Sequence, residues 1–348
     1  MLTQSLYHTF KRYRTLQSHT ISALPIVILM PHSACNCRCI MCDIWKDNKN
    51  LKQLNESDIQ SLLDSFKLFG TKQILMSGGE AMLNPNFFTL CSILKQQGLK
   101  VSVLSTGLSL KKNASALIAF IDEVIVSLDG DEQIHDFIRN VPGAFSKMAE
   151  GIAAIKNIKP EYKITARTVI HRHNFKIWSK IIEAAKDLRL DQISFLPADV
   201  SSHAFNREVL WSSDRQDEVV IAKKDLQLLE EIADDIVSLK KQTPNFIAES
   251  EQKLLNIVQY YHAVHKLADF PYKKCNAPWV SAVIEADGSV KPCFFHASFG
   301  NIRTDTLSSI LNSDKAKSFR KNLNMNLNET CKRCVCYLNL SPRTNPAA

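Results

Sequence analysis

No stretch of the 348 residues is apolar for long enough to cross a bilayer. A spanning helix needs about 20 such residues, and the longest run here, residues 23–30, is short and holds Pro25. No small-residue cleavage pattern follows it, so no secretory signal is read. Internal repeats and low-complexity tracts are missing as well. With 45% apolar and 22% charged residues, the composition excludes bulk disorder and fibrous architecture. Charge is nearly balanced too: 43 Lys and Arg against 35 Asp and Glu leave a surplus of +8. Such a surplus is compatible with an anionic substrate but reads first as a basic solvated surface. No nucleic-acid partner and no membrane span are expected, and the length suits about two domains.

Cysteine is what the sequence does hold. Nine of its ten cysteines form two groups: Cys35, Cys37, Cys39 and Cys42 near the start, and Cys275, Cys293, Cys331, Cys334 and Cys336 near the end. Cys91 stands alone in an apolar helical stretch and reads as a buried thiol. A chain without a signal peptide is expected in the cytoplasm, where thiols stay reduced. Clustered cysteines there read as metal ligands before disulfides.

Strand-like runs occur at residues 26–30, 73–76, 101–105, 124–128, 164–170 and 192–196. Each is short and rich in β-branched residues or leucine, as buried parallel strands are. Helical faces lie between them. After Asn55, an N-cap with Asp58 three residues on, come Ile59, Leu62, Leu63, Phe66 and Phe69, and Gly70 stops the run. Six strands alternating with helices predict an α/β fold, either a partial barrel or a doubly wound sheet, with ligands at the C-terminal strand ends. The pattern breaks after Leu196. A long amphipathic helix carries Leu226 to Leu239, Pro244 ends it, and a second helical stretch reaches Leu267. From Phe270 the composition turns to cysteine, proline and glycine. The expected division is an N-terminal extension at 1–22, a core at 23–214, a helical bridge at 215–269 and a small metal-stapled domain at 270–348. The extension carries Lys11, Arg12, Arg14 and several aromatics. A capping helix or frayed end is expected there ahead of contact with a membrane surface.

Cys35, Cys39 and Cys42 have the spacing C-x3-C-x2-C just past the first strand. Three thiolates on one loop can hold three irons of a cubane cluster and leave the fourth open to a ligand, because soft thiolates favour Fe–S clusters and zinc. A structural zinc site using Cys39 and Cys42 with a remote pair is the alternative. Cys37 is either spare or a substitute for Cys35 or Cys39. Ser77-Gly78-Gly79-Glu80 follows the second strand, Ser105-Thr106-Gly107 ends the third, and Ser127-Leu128-Asp129-Gly130 ends the fourth, with Arg139 twelve residues beyond Ser127. In this order, after successive strands, the segments resemble the radical S-adenosylmethionine (SAM) superfamily over about residues 24–200. The resemblance implies a partial (β/α)6 TIM-like barrel. It also implies a SAM-binding 4Fe–4S cluster on Cys35, Cys39 and Cys42. SAM contacts are implied from Ser77, Gly78, Gly79, Glu80, Ser105, Ser127 and Arg139. In the family, the Gly-Gly-Glu segment meets the SAM amino group, and the Ser/Arg pair resembles the one that holds its carboxylate and ribose.

Near the other end, Asp287-Gly288 between two apolar runs signals a hairpin that would bring Cys275 close to Cys293. Cys331 and Cys334 add a C-x2-C pair. A zinc ribbon uses similar spacings. Joined to the core, the segment resembles the SPASM/Twitch extension. That implies a second, auxiliary 4Fe–4S cluster on Cys275, Cys293, Cys331 and Cys334, with Cys336 as substitute. Five cysteines suit the shorter, one-cluster Twitch form. The resemblance implies reductive cleavage of SAM to a 5′-deoxyadenosyl radical that abstracts a substrate hydrogen, fed by a one-electron reductant such as flavodoxin or ferredoxin. The expected substrate is a small molecule such as a sugar, nucleoside or natural-product precursor, since only about 22 residues precede the first strand. A peptide or protein side chain is the alternative, and a non-catalytic Fe–S or zinc scaffold is the third reading. His171, Arg172, His173, Asp199, His203 and Arg207, past strands five and six, are the candidate substrate contacts.

Overall fold

A computed structural model describes residues 2–344. Helix α1 (Leu2–Ser18) precedes six strands: β1 (Ile26–Leu29), β2 (Gln73–Met76), β3 (Lys100–Ser105), β4 (Glu123–Ser127), β5 (Ile164–Ile170) and β6 (Gln192–Pro197). The crossovers hold α2 (Glu56–Phe69), α3 (Phe87–Gln96), α4 (Leu110–Phe120), α5 (Glu132–Arg139) with α6 (Ala144–Ile158), and α7 (Trp178–Asp187). All six strands run parallel and neighbour one another in chain order. A doubly wound sheet reverses its strand order at a switch point. No reversal occurs here, so the partial barrel is the architecture formed.

Helix α2 shows how closely local sequence sets the elements. Asn55 accepts from the Asp58 amide and the Asp58 carboxylate accepts from the Asn55 amide, closing a capping box. Ile59, Leu62, Phe66 and Phe69 then face the core, and Gly70 closes the helix with φ 62°. Cys91 is fully buried on α3, as expected of a packing thiol.

Helices α8 (Ser213–Asp217), α9 (Leu226–Gln242) and α10 (Glu251–Val264) close the β6 side. Two adjacent tyrosines of α10 clamp the ends of β5 and β6. The Tyr260 hydroxyl donates to the Ala198 carbonyl at 3.0 Å, and that of Tyr261 donates to the Ile170 carbonyl while accepting from the Ala198 amide at 3.1 Å.

The C-terminal segment holds α11 (Ala277–Val280), β7 (Ser281–Ile284), β8 (Ser289–Lys291), β9 (Gly300–Asn301), α12 (Leu307–Leu311), α13 (Asp314–Asn322) and α14 (Glu329–Arg333). The hairpin expected at Asp287-Gly288 is present. It is not a free-standing unit, however. Strand β7 pairs in parallel with β1, Ile26 opposite Ser281, and extends the barrel sheet to nine strands. The β1 edge would otherwise present unpaired backbone groups, and β7, buried along its whole length, covers it. Farther along, Arg303 pairs with Asp58 at 2.9 Å, and buried Arg320 donates to the carbonyls of His19 and Leu311.

Candidate functional site

The loop after β1 is strapped to its surroundings by backbone bonds. The amides of Arg38 and Ile40 donate to the carbonyls of Arg139 and Ile138 at the end of α5, and Asn48 exchanges two bonds with the backbone of Cys35. Cys35, Cys39 and Cys42 line one cavity of about 570 Å³ at the C-terminal strand ends. Cys37 is absent from that lining. It is buried, and its thiol is hydrogen-bonded to Cys39, which holds Cys37 protonated and draws the Cys39 thiol down, with help from Arg139. Burial pushes Cys35 and Cys42 the other way, to about 12.

The turn after β2 is pressed against this loop. The Ser77 amide continues the ladder to the Leu29 carbonyl, and the Glu80 amide donates to the Ala34 carbonyl at 2.9 Å. Gly78 has φ +114°, and a Cβ on Gly79 would stand 2.2 Å from the Ala34 carbonyl oxygen, so only glycine admits this approach. Ser77, Gly78 and Gly79 line the cavity, whereas Glu80 lies outside its lining. The Glu80 carboxylate is wholly buried. It accepts from the Thr106 amide at 2.7 Å, the Thr106 hydroxyl at 2.8 Å, the Ser105 hydroxyl and the Met82 amide. Burial raises its pKa, and those donors pull against the rise. Glu80 therefore fixes the end of β3 under the glycine turn, and it is the neighbouring glycines that border the open space.

Ser105, Ser127 and Arg139 complete the brim. Arg139 pairs with wholly buried Asp129 at 2.5 Å and donates to the Cys39 sulfur at 3.5 Å, and its Nε has no partner. Burial opposes its charge, but Asp129 and Cys39 outweigh that and keep it cationic. A guanidinium held beside thiolates offsets part of their negative charge.

Past β5 and β6 the expected contacts divide. Asp199, His203 and Arg207 line the cavity; His171, Arg172 and His173 do not. The reason is local. The Asn174 side chain accepts from the His171 amide and folds the chain back, so that Arg172 and His173 reach the carbonyls of Asp217 and Glu218 instead. Asp199 and Arg207 form a buried ion pair at 2.8 Å. Arg207 also lies over the Trp211 ring at 3.9 Å, and the Trp211 indole donates to Asp43 at 2.6 Å, next to Cys42. The loop thus latches onto the cysteine loop. Sequence reasoning missed Trp211 and Asp43, and gave no role to Thr106 and Asp129, although both stand in the strand-end segments it singled out.

The far cysteines gather at a second place. Cys275, Cys293, Cys331, Cys334 and Cys336 line a small cavity of about 30 Å³ with His296, which the sequence did not point to. The His296 Nε2 lies 3.3 Å from the Cys331 sulfur, and its backbone amide also bonds Cys293. Burial pushes Cys293 up to about 12 and Cys331 to about 11. Lys273, brought down to about 8 by burial, is the cation beside these sulfurs. Of the cysteines, Cys336 alone borders both this cavity and the large one, beside Phe295, which also lines both. Of the far cysteines, Cys336 is thus the one that shares a cavity with Cys35, Cys39 and Cys42.

Among the described residues no three His, Cys, Asp or Glu side chains converge closely enough for a single metal ion. A multi-iron cluster spreads its thiolates over several irons and does not ask for that. The donors fit such a group in their chemistry. Desolvation disfavours the thiolates of Cys35 and Cys42, and a cationic centre is what restores them.

Residues 29–185 match the radical SAM superfamily, and residues 275–335 match SPASM, an iron–sulfur cluster-binding domain. The chain is 25% identical over 160 residues to the AdoMet-dependent heme synthase of Methanosarcina barkeri, covering 45% of each chain. It is 23% identical to the antilisterial bacteriocin subtilosin biosynthesis protein AlbA of Bacillus subtilis, over 87% of this chain and 62% of that one. It therefore spans less than two thirds of either relative. It is also 24% identical to the cysteine-type anaerobic sulfatase-maturating enzyme of Clostridium novyi, over 91% of this chain and 86% of that one. In fold it is similar to Streptococcus suis SuiB bound to precursor peptide SuiA (TM-score 0.65, 14% identity, 93% of this chain and 73% of that one). A likeness of the same order holds for anSMEcpe with bound AdoMet (TM-score 0.64, 19% identity, 89% and 83%).

Proposed function

Because the chain belongs to the radical SAM superfamily and carries an SPASM-type iron–sulfur domain, we propose that it abstracts a hydrogen atom from a side chain of a peptide or protein. The observation that carries this is the single cavity lined by Cys35, Cys39, Cys42, the Gly78-Gly79 turn and Arg139. A 4Fe–4S cluster on the three cysteines, with SAM, would supply the electron and the 5′-deoxyadenosyl radical.

The chain's own residues then have separable tasks. Gly78 and Gly79 let the backbone approach SAM, Ser127 offers a hydroxyl, Ser105 borders SAM with its own hydroxyl held by Glu80 and the Gly107 amide, and Arg139 presents a cation already oriented by Asp129. Glu80 acts as a positioning residue through Ser105 and Thr106. The latch of Arg207, Trp211 and Asp43 excludes water above the cysteine loop. Cys275, Cys293, Cys331 and Cys334 are the proposed ligands of an auxiliary 4Fe–4S cluster. A one-electron reductant of the flavodoxin or ferredoxin kind would feed the system in a reducing cytoplasm. The divisions at 1–22, 23–214, 215–269 and 270–348 serve as proposed functional regions.

Two points support a peptide. The sulfatase-maturating enzyme and the subtilosin biosynthesis protein match nearly the whole of this chain. The cavity is also in the range that houses one drug-sized molecule, about 300–1,000 Å³, so with SAM inside a larger substrate must insert one group from the mouth. There Phe205 is part of the lining, and Val209 and Leu210 of the same loop are exposed. The likeness to a heme synthase over the barrel favours the other reading, a small-molecule substrate.

Anaerobically reconstituted protein with dithionite and SAM is expected to form 5′-deoxyadenosine. If none forms while both clusters are intact, the protein is a scaffold and the enzymatic reading is lost. Product formation stimulated by porphyrin precursors and by no peptide in a test panel would return the small-molecule reading.

A further inference from the structure

Helix α1 faces the wrong way for a helix whose only task is to cap a barrel. A surface helix ordinarily turns its apolar stripe inward and its polar residues to water. In α1 the inward residues are largely polar. Arg12, 9% exposed, donates to the carbonyls of Pro342 and Thr344. The Thr15 hydroxyl accepts from the amides of Ser22 and Ala23. His8 lies against Gly70. Leu16 alone joins an apolar cluster, beside Trp279. The outward face carries the bulk: Leu6 is 69% exposed, Tyr7 58%, Phe10 65% and Tyr13 42%. Leu68, 57% exposed on α2, continues the face where Lys11 donates to its carbonyl.

The charge around this face is mostly of one sign. Residues 1–42 contain no Asp or Glu, and exposed Arg14, Lys67 and Lys72 stand with Lys11 on α1 and along the adjoining edge. The nearest acid in sequence on that edge is Asp64, one turn before Leu68. Aromatic and leucine side chains ringed by Lys and Arg suit the boundary between headgroups and acyl chains of an anionic bilayer. A second copy would have to seat an acidic face there, such as exposed Glu230, Glu231, Asp234 and Asp235 of α9, but beside those carboxylates that helix exposes only Leu228 among its large apolar side chains and so offers little to cover four. We propose that α1 lies flat on an anionic membrane surface through Leu6, Tyr7, Phe10 and Tyr13. The face adjoins the C-terminal end of α2, hence the N-terminal edge of the sheet. The membrane would hold the barrel by its closed end and leave the cysteine-lined mouth open to solution.

The cluster-loaded full chain should sediment with vesicles of phosphatidylcholine and phosphatidylglycerol but not with phosphatidylcholine alone, and added salt should release it. The triple variant Leu6→Ser, Phe10→Ser, Tyr13→Ser alters only exposed side chains. It should keep its iron content and thermal midpoint and partition at least about tenfold less. Arg14→Gln with Lys67→Gln should weaken partition and flatten its salt dependence. Failure to sediment with anionic vesicles, or a triple variant that sediments like the parent, overturns the proposal. So does light scattering that finds the parent dimeric and the triple variant monomeric, which assigns the face to a second copy of the chain.

Discussion

Cys35, Cys39 and Cys42 stand within eight residues of one loop, whereas Cys275, Cys293, Cys331 and Cys334 come from three segments spread over sixty. The first loop is shaped by the barrel beneath it, through backbone bonds to α5, the glycine turn after β2 and the Arg139–Asp129 pair. The second set lies outside the barrel frame, between a loop, a strand end and the five-residue α14, tied by the bonds of Lys273 to the Lys332 carbonyl and of Asn276 to Leu338 and Leu340. Where the scaffold makes the site, metal adds chemistry. Where the site joins the scaffold, metal adds fold.

Four measurements would break or sharpen that contrast. Replacing Cys35, Cys39 and Cys42 together by alanine is expected to abolish 5′-deoxyadenosine formation and remove about four irons. The melting transition should move little, and a large drop would show that the first site also holds the fold. Cys331→Ser with Cys334→Ser should instead speed proteolytic cleavage within 270–344 at least about tenfold, because local opening is what the second metal restrains. Next in size is Asp129→Asn, which leaves buried Arg139 without its counter-charge and should cost about 3–5 kcal/mol in denaturant unfolding. An unchanged midpoint would mean that the thiols alone stabilise the arginine. The smallest effect is expected from His296→Phe. Iron should be retained while the auxiliary potential falls by about 40 mV, the one-electron equivalent of a hydrogen bond worth about 1 kcal/mol. An unmoved potential would show that the 3.3 Å contact to Cys331 carries no proton toward sulfur.

The same division explains what could be read in advance. Strands β1 to β6 are legible because a strand buried on both faces must be a short apolar run, and the boundaries at 73–76 and 164–170 fall where expected. The large cavity is legible because its residues sit at fixed places after successive strands. Residues whose placement depends on distant partners are not. Nothing within 281–284 announces that β7 will lie beside β1, since apolar alternation fits any edge. Cys37 has the same composition around it as Cys39, and only the folded loop shows which thiol turns inward. His171 and His173 look like site residues until Asn174 is seen bending them away. His296 gives no local sign because its partner Cys331 is thirty-five residues on.

The pairing of β1 with β7 has a consequence during synthesis. One edge of β1 waits for a partner about 250 residues downstream, which a ribosome reaches roughly 10–50 s later. In the last part of that interval, after β6 ends at Pro197 and before β7 begins at Ser281, a nearly complete barrel shows a bare apolar strand edge to its surroundings. The nascent chain is therefore most open to wrong pairing when it already looks almost finished, and chaperone occupancy should peak between the emergence of β6 and that of β7.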